Sequence, residues 1–156
     1  MVSSKLRRIT AGAWAPALAA VVVACCYSST LMWQINGSDS VYADDVGEYQ
    51  VALPLWGTVH PTGTPLYMLL GSPFVGALRE LGVAPAASAS LFSLLWQAGG
   101  VALLAAVLIR LAVPPIFSGL AALAIGLTQS IWIHGSIAEV YSLWIFVLVV
   151  ALLQAL

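Results

Sequence analysis

Charge is scarce in this chain. Five Lys and Arg and six Asp and Glu make up 7% of its 156 residues, whereas soluble domains carry roughly a quarter charged residues. With 62% hydrophobic residues and a mean hydropathy of +1.01, it has more apolar surface than a water-soluble core can absorb. No Lys/Arg run follows Lys5, Arg7 and Arg8, and the net charge is -1, so there is no electrostatic footprint for nucleic acid. Cysteine is equally sparse. Cys25 and Cys26 are adjacent inside an apolar run, which excludes a disulfide framework and a metal-ligand spacing and leaves them as packing residues. Internal repeats and low-complexity segments are also lacking.

What is present is a series of apolar runs: Ala11 to Trp33, Pro65 to Leu78, Ala86 to Ile109, Val113 to Ile133, and Ala138 to the last residue. The basic start followed by the first run also describes a signal peptide, and Val22-Val23-Ala24-Cys25 loosely resembles a lipoprotein cleavage site. The run is nevertheless longer than the roughly 7 to 15 residues of a signal core, and it reads as an uncleaved first span. The run after Pro65 is short and broken by Gly71, Pro73 and Gly76. A span needs about 20 apolar residues, so this stretch is expected to be interfacial or re-entrant.

The expected organisation is an all-α, polytopic transmembrane protein. Residues 1–10 form a cytoplasmic terminus, 11–33 a first span, 34–85 an extracytoplasmic acidic loop with the interfacial helix, and 86–156 three further spans. Lys and Arg of short loops prefer the cytoplasm. With Lys5, Arg7 and Arg8 inside and the Pro65 stretch held outside, Arg110 falls on the cytoplasmic side. His134 and Glu139 then share the outer face with Asp39, Asp44, Asp45, Glu48 and His60. If the Pro65 stretch crossed, Arg110 would move outside and Glu139 would land opposite the first loop. Pro114-Pro115 suits a turn opening the next helix. The end of the sequence on an apolar helix at Leu156 reads as the N-terminal part of a longer protein.

Four of the six acidic residues lie in the first outer loop. On a helix, Asp45 and Glu48 share a face. Two carboxylates that close suit a general base, and together they could hold a divalent cation, though no metal site is assigned. The same residues would also make an ordinary capping box, with Asp45 at the N-cap. Asp39 sits in a Gly-Ser turn, and Asp44 reads as solvated. His60 precedes Pro61 and is pushed toward extended backbone about a dozen residues from the acidic pair, where a proton-relay or ligand role is open to it. Glu139, at the head of an apolar run, is costly to bury and is a functional candidate by default.

Three motifs together resemble the polytopic GT-C-type glycosyltransferases, in particular the protein O-mannosyltransferase-like branch. Asp45-Val46-Gly47-Glu48 is similar to the family's Asp-x-Gly-Glu, and His60-Pro61-Thr62-Gly63-Thr64-Pro65-Leu66-Tyr67 to its His-Pro-Pro-Gly-x-Pro-Leu. Ala138-Glu139-Val140-Tyr141-Ser142-Leu143, preceded by Trp132, is similar to its Ala-Glu-Val-Tyr-x-Leu. Thr62 stands where proline is frequent, which loosens a turn without removing a reactive group. Such enzymes have many more spans than this chain.

The resemblance implies a GT-C-like N-terminal module in a multi-pass membrane protein, in the plasma membrane if bacterial. It implies transfer of a sugar, mannose by the family's example, from a polyprenyl- or dolichyl-phosphate donor to a protein or glycan hydroxyl on the extracytoplasmic face. Asp45 would be general base, Glu48 would orient the acceptor, and the configuration would invert. His60, Glu139, Tyr141 and Arg79 would contact substrate, Arg79 as the cation on the outer side available to the leaving phosphate. The remaining phosphate ligands would lie beyond Leu156, and the isolated fragment would be inactive. From composition alone, a transporter or channel fragment, or a non-catalytic membrane assembly subunit, is equally compatible. A transporter tends to hold ionisable groups at the midplane, whereas these lie in a loop.

Overall fold

The computed structural model describes residues 12–36, 44–61 and 63–156. Lys5, Arg7, Arg8, Asp39 and Thr62, and the side chain of Asp44, lie outside the described part. Seven helices are present and no strand among the described residues: α1 Trp14–Ser28, α2 Asp44–Leu55, α3 Pro65–Glu80, α4 Pro85–Arg110, α5 Pro115–Gly126, α6 Gln129–Ser136 and α7 Tyr141–Ala155. The all-α expectation is met.

Among the described residues one helix, α4, is long and apolar enough to cross a membrane by itself. At 26 residues it is about 39 Å long. The other apolar runs are cut differently from the expectation. Among the described residues the first run carries the helix Trp14–Ser28 and the last the helix Tyr141–Ala155, both shorter than a full span. The run from Val113 to Ile133 is two helices, α5 and α6, bent by 74° at the break. Its cause is local. The buried Tyr27 hydroxyl donates to the Gly126 carbonyl at 2.7 Å, so that carbonyl has a partner outside its own helix. Thr128 turns extended at φ -65°, ψ 148°, and its hydroxyl bonds back to the Ile125 carbonyl.

The Pro65 stretch is one continuous helix despite its breakers. Pro65 opens it, where a missing N–H costs nothing. At Gly71 the close approach of Leu53 and Phe92 leaves no room for a side chain.

α4 is the axis of the molecule, and its two halves carry different neighbours. Along the second half, Ala98, Val101 and Ala105 pack with Ala19, Val23 and Tyr27 of α1 and Ala122 of α5. Gly12 lies against Ile109 and Pro115, so α1 runs antiparallel to α4 while α5 returns alongside. Arg110 closes this end by donating to the Leu153 carbonyl near the end of α7, at 2.7 Å. Cys26 packs against this core, whereas Cys25 is exposed. The packing expectation therefore holds for one cysteine of the pair.

Along the first half, Ala89 and Phe92 pack with Val46, Tyr49 and Leu53 of α2, Tyr67, Met68 and Val75 of α3, and Ile137 and Ala138 after α6. Edge-on ring contacts run from Tyr49 to Tyr67 to Phe92 to Trp96. This half holds Asp45, Glu48 and Glu139.

Candidate functional site

α2 places its apolar positions Val46, Tyr49 and Leu53 inward, which turns Asp45 and Glu48 to one partly exposed side. Glu48 does not cap its own helix. One carboxylate oxygen, Oε1, accepts the His60 backbone N–H at 2.7 Å, and the other, Oε2, lies 2.6 Å from the His60 ring Nδ1. Asp45 Oδ1 is 3.7 Å from the same nitrogen. A carboxylate only accepts, so Nδ1 carries the proton of the short bond.

The loop that presents His60 is held at both ends. Trp56 takes a positive φ of 53°, and the Gly57 N–H caps the Ala52 carbonyl at 2.9 Å. The Gly63 N–H closes a turn onto the His60 carbonyl at 2.8 Å, with φ +78° at Gly63, a region that favours glycine. The segment leaving α1 is fixed by Gln50, which is fully buried. Gln50 accepts the Asn36 N–H at 2.8 Å and donates to the Gln34 carbonyl at 3.1 Å. That contact explains the glycine between the two carboxylates: a Cβ at Gly47 would lie 2.7 Å from the Asn36 carbonyl oxygen.

Glu139 enters from the other side, in the non-helical segment 137–140 between α6 and α7. It is 5% exposed. Burial pushes its carboxyl up to about 7, and the Asp45 charge pushes the same way; the Val140 N–H and His60 oppose them. His60 is raised above its ordinary 6.5 by the Glu48 hydrogen bond and then by Asp45. Tyr49, beneath them, is raised by burial. Of the residues named from sequence, Asp45, Glu48 and His60 are therefore brought into contact, and Glu139 lies near enough for the Asp45 and His60 charges to act on it.

The other two are not. Arg79 is exposed in the last turn of α3, fourteen positions from Pro65 and so about 21 Å along the helix from the His60 loop. Tyr141 starts α7 largely exposed, its ring tilted against His134 with centroids 4.9 Å apart. Sequence reasoning missed Gln50 and Ser93, both buried polar residues in this half of the molecule. A polar residue within an apolar helix is the signal that could have found Ser93.

Asp45, Glu48 and His60 each offer a ligand atom within 4.8 Å of the others, a donor set that could hold a divalent cation. A metal on Nδ1 would have to displace the proton shared with Glu48.

Residues 45–156 match the family model described as Protein O-mannosyl-transferase TMEM260 N-terminal domain. The chain belongs to this family. No curated protein and no solved structure matches it. The match to the O-mannosyltransferase N-terminal domain starts at Asp45, the first carboxylate of the group, and takes in every helix that builds the site.

Proposed function

We propose that this chain supplies the acceptor-activating part of a multi-pass membrane enzyme that transfers mannose from a polyprenyl-phosphate donor to a protein hydroxyl. The observation that carries the reading is the division of labour between the two carboxylates of α2. Both Glu48 oxygens are committed to His60, while Asp45 stands at 3.7 Å, without a close hydrogen bond, and free to receive a proton.

In the reaction, Asp45 takes the acceptor hydroxyl proton as the oxygen attacks the anomeric carbon. The bond from that carbon to the phosphate oxygen breaks, the electron pair leaves on the lipid phosphate, and the configuration inverts. Glu48 holds the His60 loop in register. Glu139 is buried beside this group, and its raised affinity for a proton makes it the proton donor toward a sugar or phosphate oxygen at neutral pH. α4, α1, the α5–α6 pair and α7 lie in the bilayer, with Arg110 cytoplasmic and the α2 loop extracytoplasmic. The packing of α3 along the first half of α4, rather than through the bundle, supports this arrangement.

The test is Asp45→Asn in the full-length protein carrying this chain, measured as labelled mannose transferred to a Ser/Thr peptide by membranes. Transfer falls at least about 100-fold at equal protein, the size expected for loss of a general base. Activity within a few-fold of the parent overturns the assignment.

A further inference from the structure

One buried hydroxyl fixes the position of Glu139. Ser93, fully buried on α4, accepts the Glu139 backbone N–H at 2.9 Å and donates to the Glu139 carbonyl at 3.0 Å. Its oxygen also lies 2.9 Å from the Tyr67 hydroxyl of α3. A hydroxyl has one proton and two lone pairs. With the proton given to the Glu139 carbonyl, the lone pairs take the Glu139 N–H and the Tyr67 O–H, and every capacity of Ser93 is used. Ser142 adds a second hydroxyl to the Glu139 carbonyl at 3.0 Å.

The site needs such a fixture. Segment 137–140 is non-helical, so no helical ladder sets the direction of the Glu139 side chain. The neighbouring buried serines do not share the arrangement: Ser90 donates to Ala86 and Ser88 to Ala84, both within or at the start of α4. Ser93 alone of the three reaches across to another element.

We propose that Ser93, supported by Tyr67, is a positioning residue that locks the Glu139 main chain onto α4 and so holds the Glu139 carboxyl inside the Asp45 group. The role of Glu139 in transfer rests on the reaction proposed above; the lock itself does not. The titratable groups facing Glu139 are Asp45 and His60, from α2 and the loop after it, and Tyr49 and Tyr67, from α2 and α3.

The experiment compares Ser93→Ala, Ser93→Thr, Tyr67→Phe and Ser90→Ala. The first readout is the Glu139 protonation midpoint in the chain in detergent, followed by isotope-edited infrared spectroscopy. The second is kcat and KM for mannose transfer in the full-length protein. Ser93→Ala moves the midpoint by at least half a pH unit and lowers kcat about 10- to 100-fold with KM little changed, the cost of a misplaced group. Ser93→Thr restores both, and Ser90→Ala moves neither. Tyr67→Phe removes one bond only and shifts the midpoint the same way by less, which keeps the test alive if Ser93→Ala does not fold. An unmoved midpoint in Ser93→Ala, or in Tyr67→Phe where Ser93→Ala does not fold, or an equal shift in Ser90→Ala, overturns the proposal. If the parent transfers no mannose, the proposed reaction falls while the midpoint still decides the lock.

Discussion

The two halves of α4 sit in differently built surroundings. Around residues 98–105 small and aliphatic neighbours, Ala19, Val23 and Ala122, stand beside the single ring of Tyr27 on α1. Helices approach closely there, so closely that a Cβ at Gly126 would meet Val101 at 2.9 Å and Val23 at 3.0 Å. Around residues 89–96 the neighbours are aromatic rings in edge contact, and the segments they support, the His60 loop and 137–140, are not helical. Small residues suit helix against helix. Irregular backbone cannot satisfy itself, and here side chains do it instead: Gln50 for Gln34 and Asn36, Glu48 for His60, Ser93 for Glu139. One half is a generic bundle, and the other spends its buried polar groups on placing four titratable residues.

Substitutions in the two halves should therefore fail in different ways. Glu48→Gln keeps the size but removes the charge facing His60. Transfer falls about 10- to 100-fold, and the His60 titration, followed by NMR, drops toward 6.5. The sign follows from the raised folded-state value: the pair's contribution to stability is complete below about pH 6.5 and is lost as pH rises through the raised value. In the variant that loss is much reduced.

Gly47→Ala and Gly126→Ala sharpen the contrast. Each meets a crowded site, and each costs about 1–3 kcal/mol in denaturant unfolding. Only Gly47→Ala, pressed against the Asn36 carbonyl at 2.7 Å, also perturbs the His60 NMR signal. Equal perturbation by both would erase the distinction between the halves.

Glu139→Gln is a pH experiment. A carboxyl raised from 4.5 to about 7 by burial costs stability increasingly as pH rises from about 4.5, where the unfolded chain ionises first, to about 7. The glutamine variant lacks this slope. It gains about 1–2 kcal/mol over the parent between pH 5 and pH 8, after allowance for screening. The smallest effect is expected at Arg79→Ala, which leaves transfer within about twofold because Arg79 stands a helix length from the His60 loop.

Much of this was legible in the sequence. The run Ala86 to Ile109 matches α4 to within one residue at each end because no charged residue interrupts it before Arg110. The Asp45, Glu48 and His60 grouping was legible because two of the three share a helix face. What could not be read were pairings made across the fold. A single tyrosine hydroxyl 99 positions away from Gly126 marks the break in an apolar run that looked continuous. Gly71, Pro73 and Gly76 suggested an interrupted segment, yet packing against α4 keeps α3 helical. Glu139 was recognised as costly to bury, but the serine that fixes it lies 46 positions earlier.

The central claim is a direct displacement by a hydroxyl that Asp45 activates. The measurement that bears on it most directly is the stereochemistry of the mannosyl linkage formed by the full-length protein from a polyprenyl-phosphate mannose of known configuration, determined by NMR of the glycopeptide. The account predicts inversion, with no mannose covalently trapped on the protein. Retention of configuration would require a glycosyl-enzyme intermediate and would contradict the role given to Asp45.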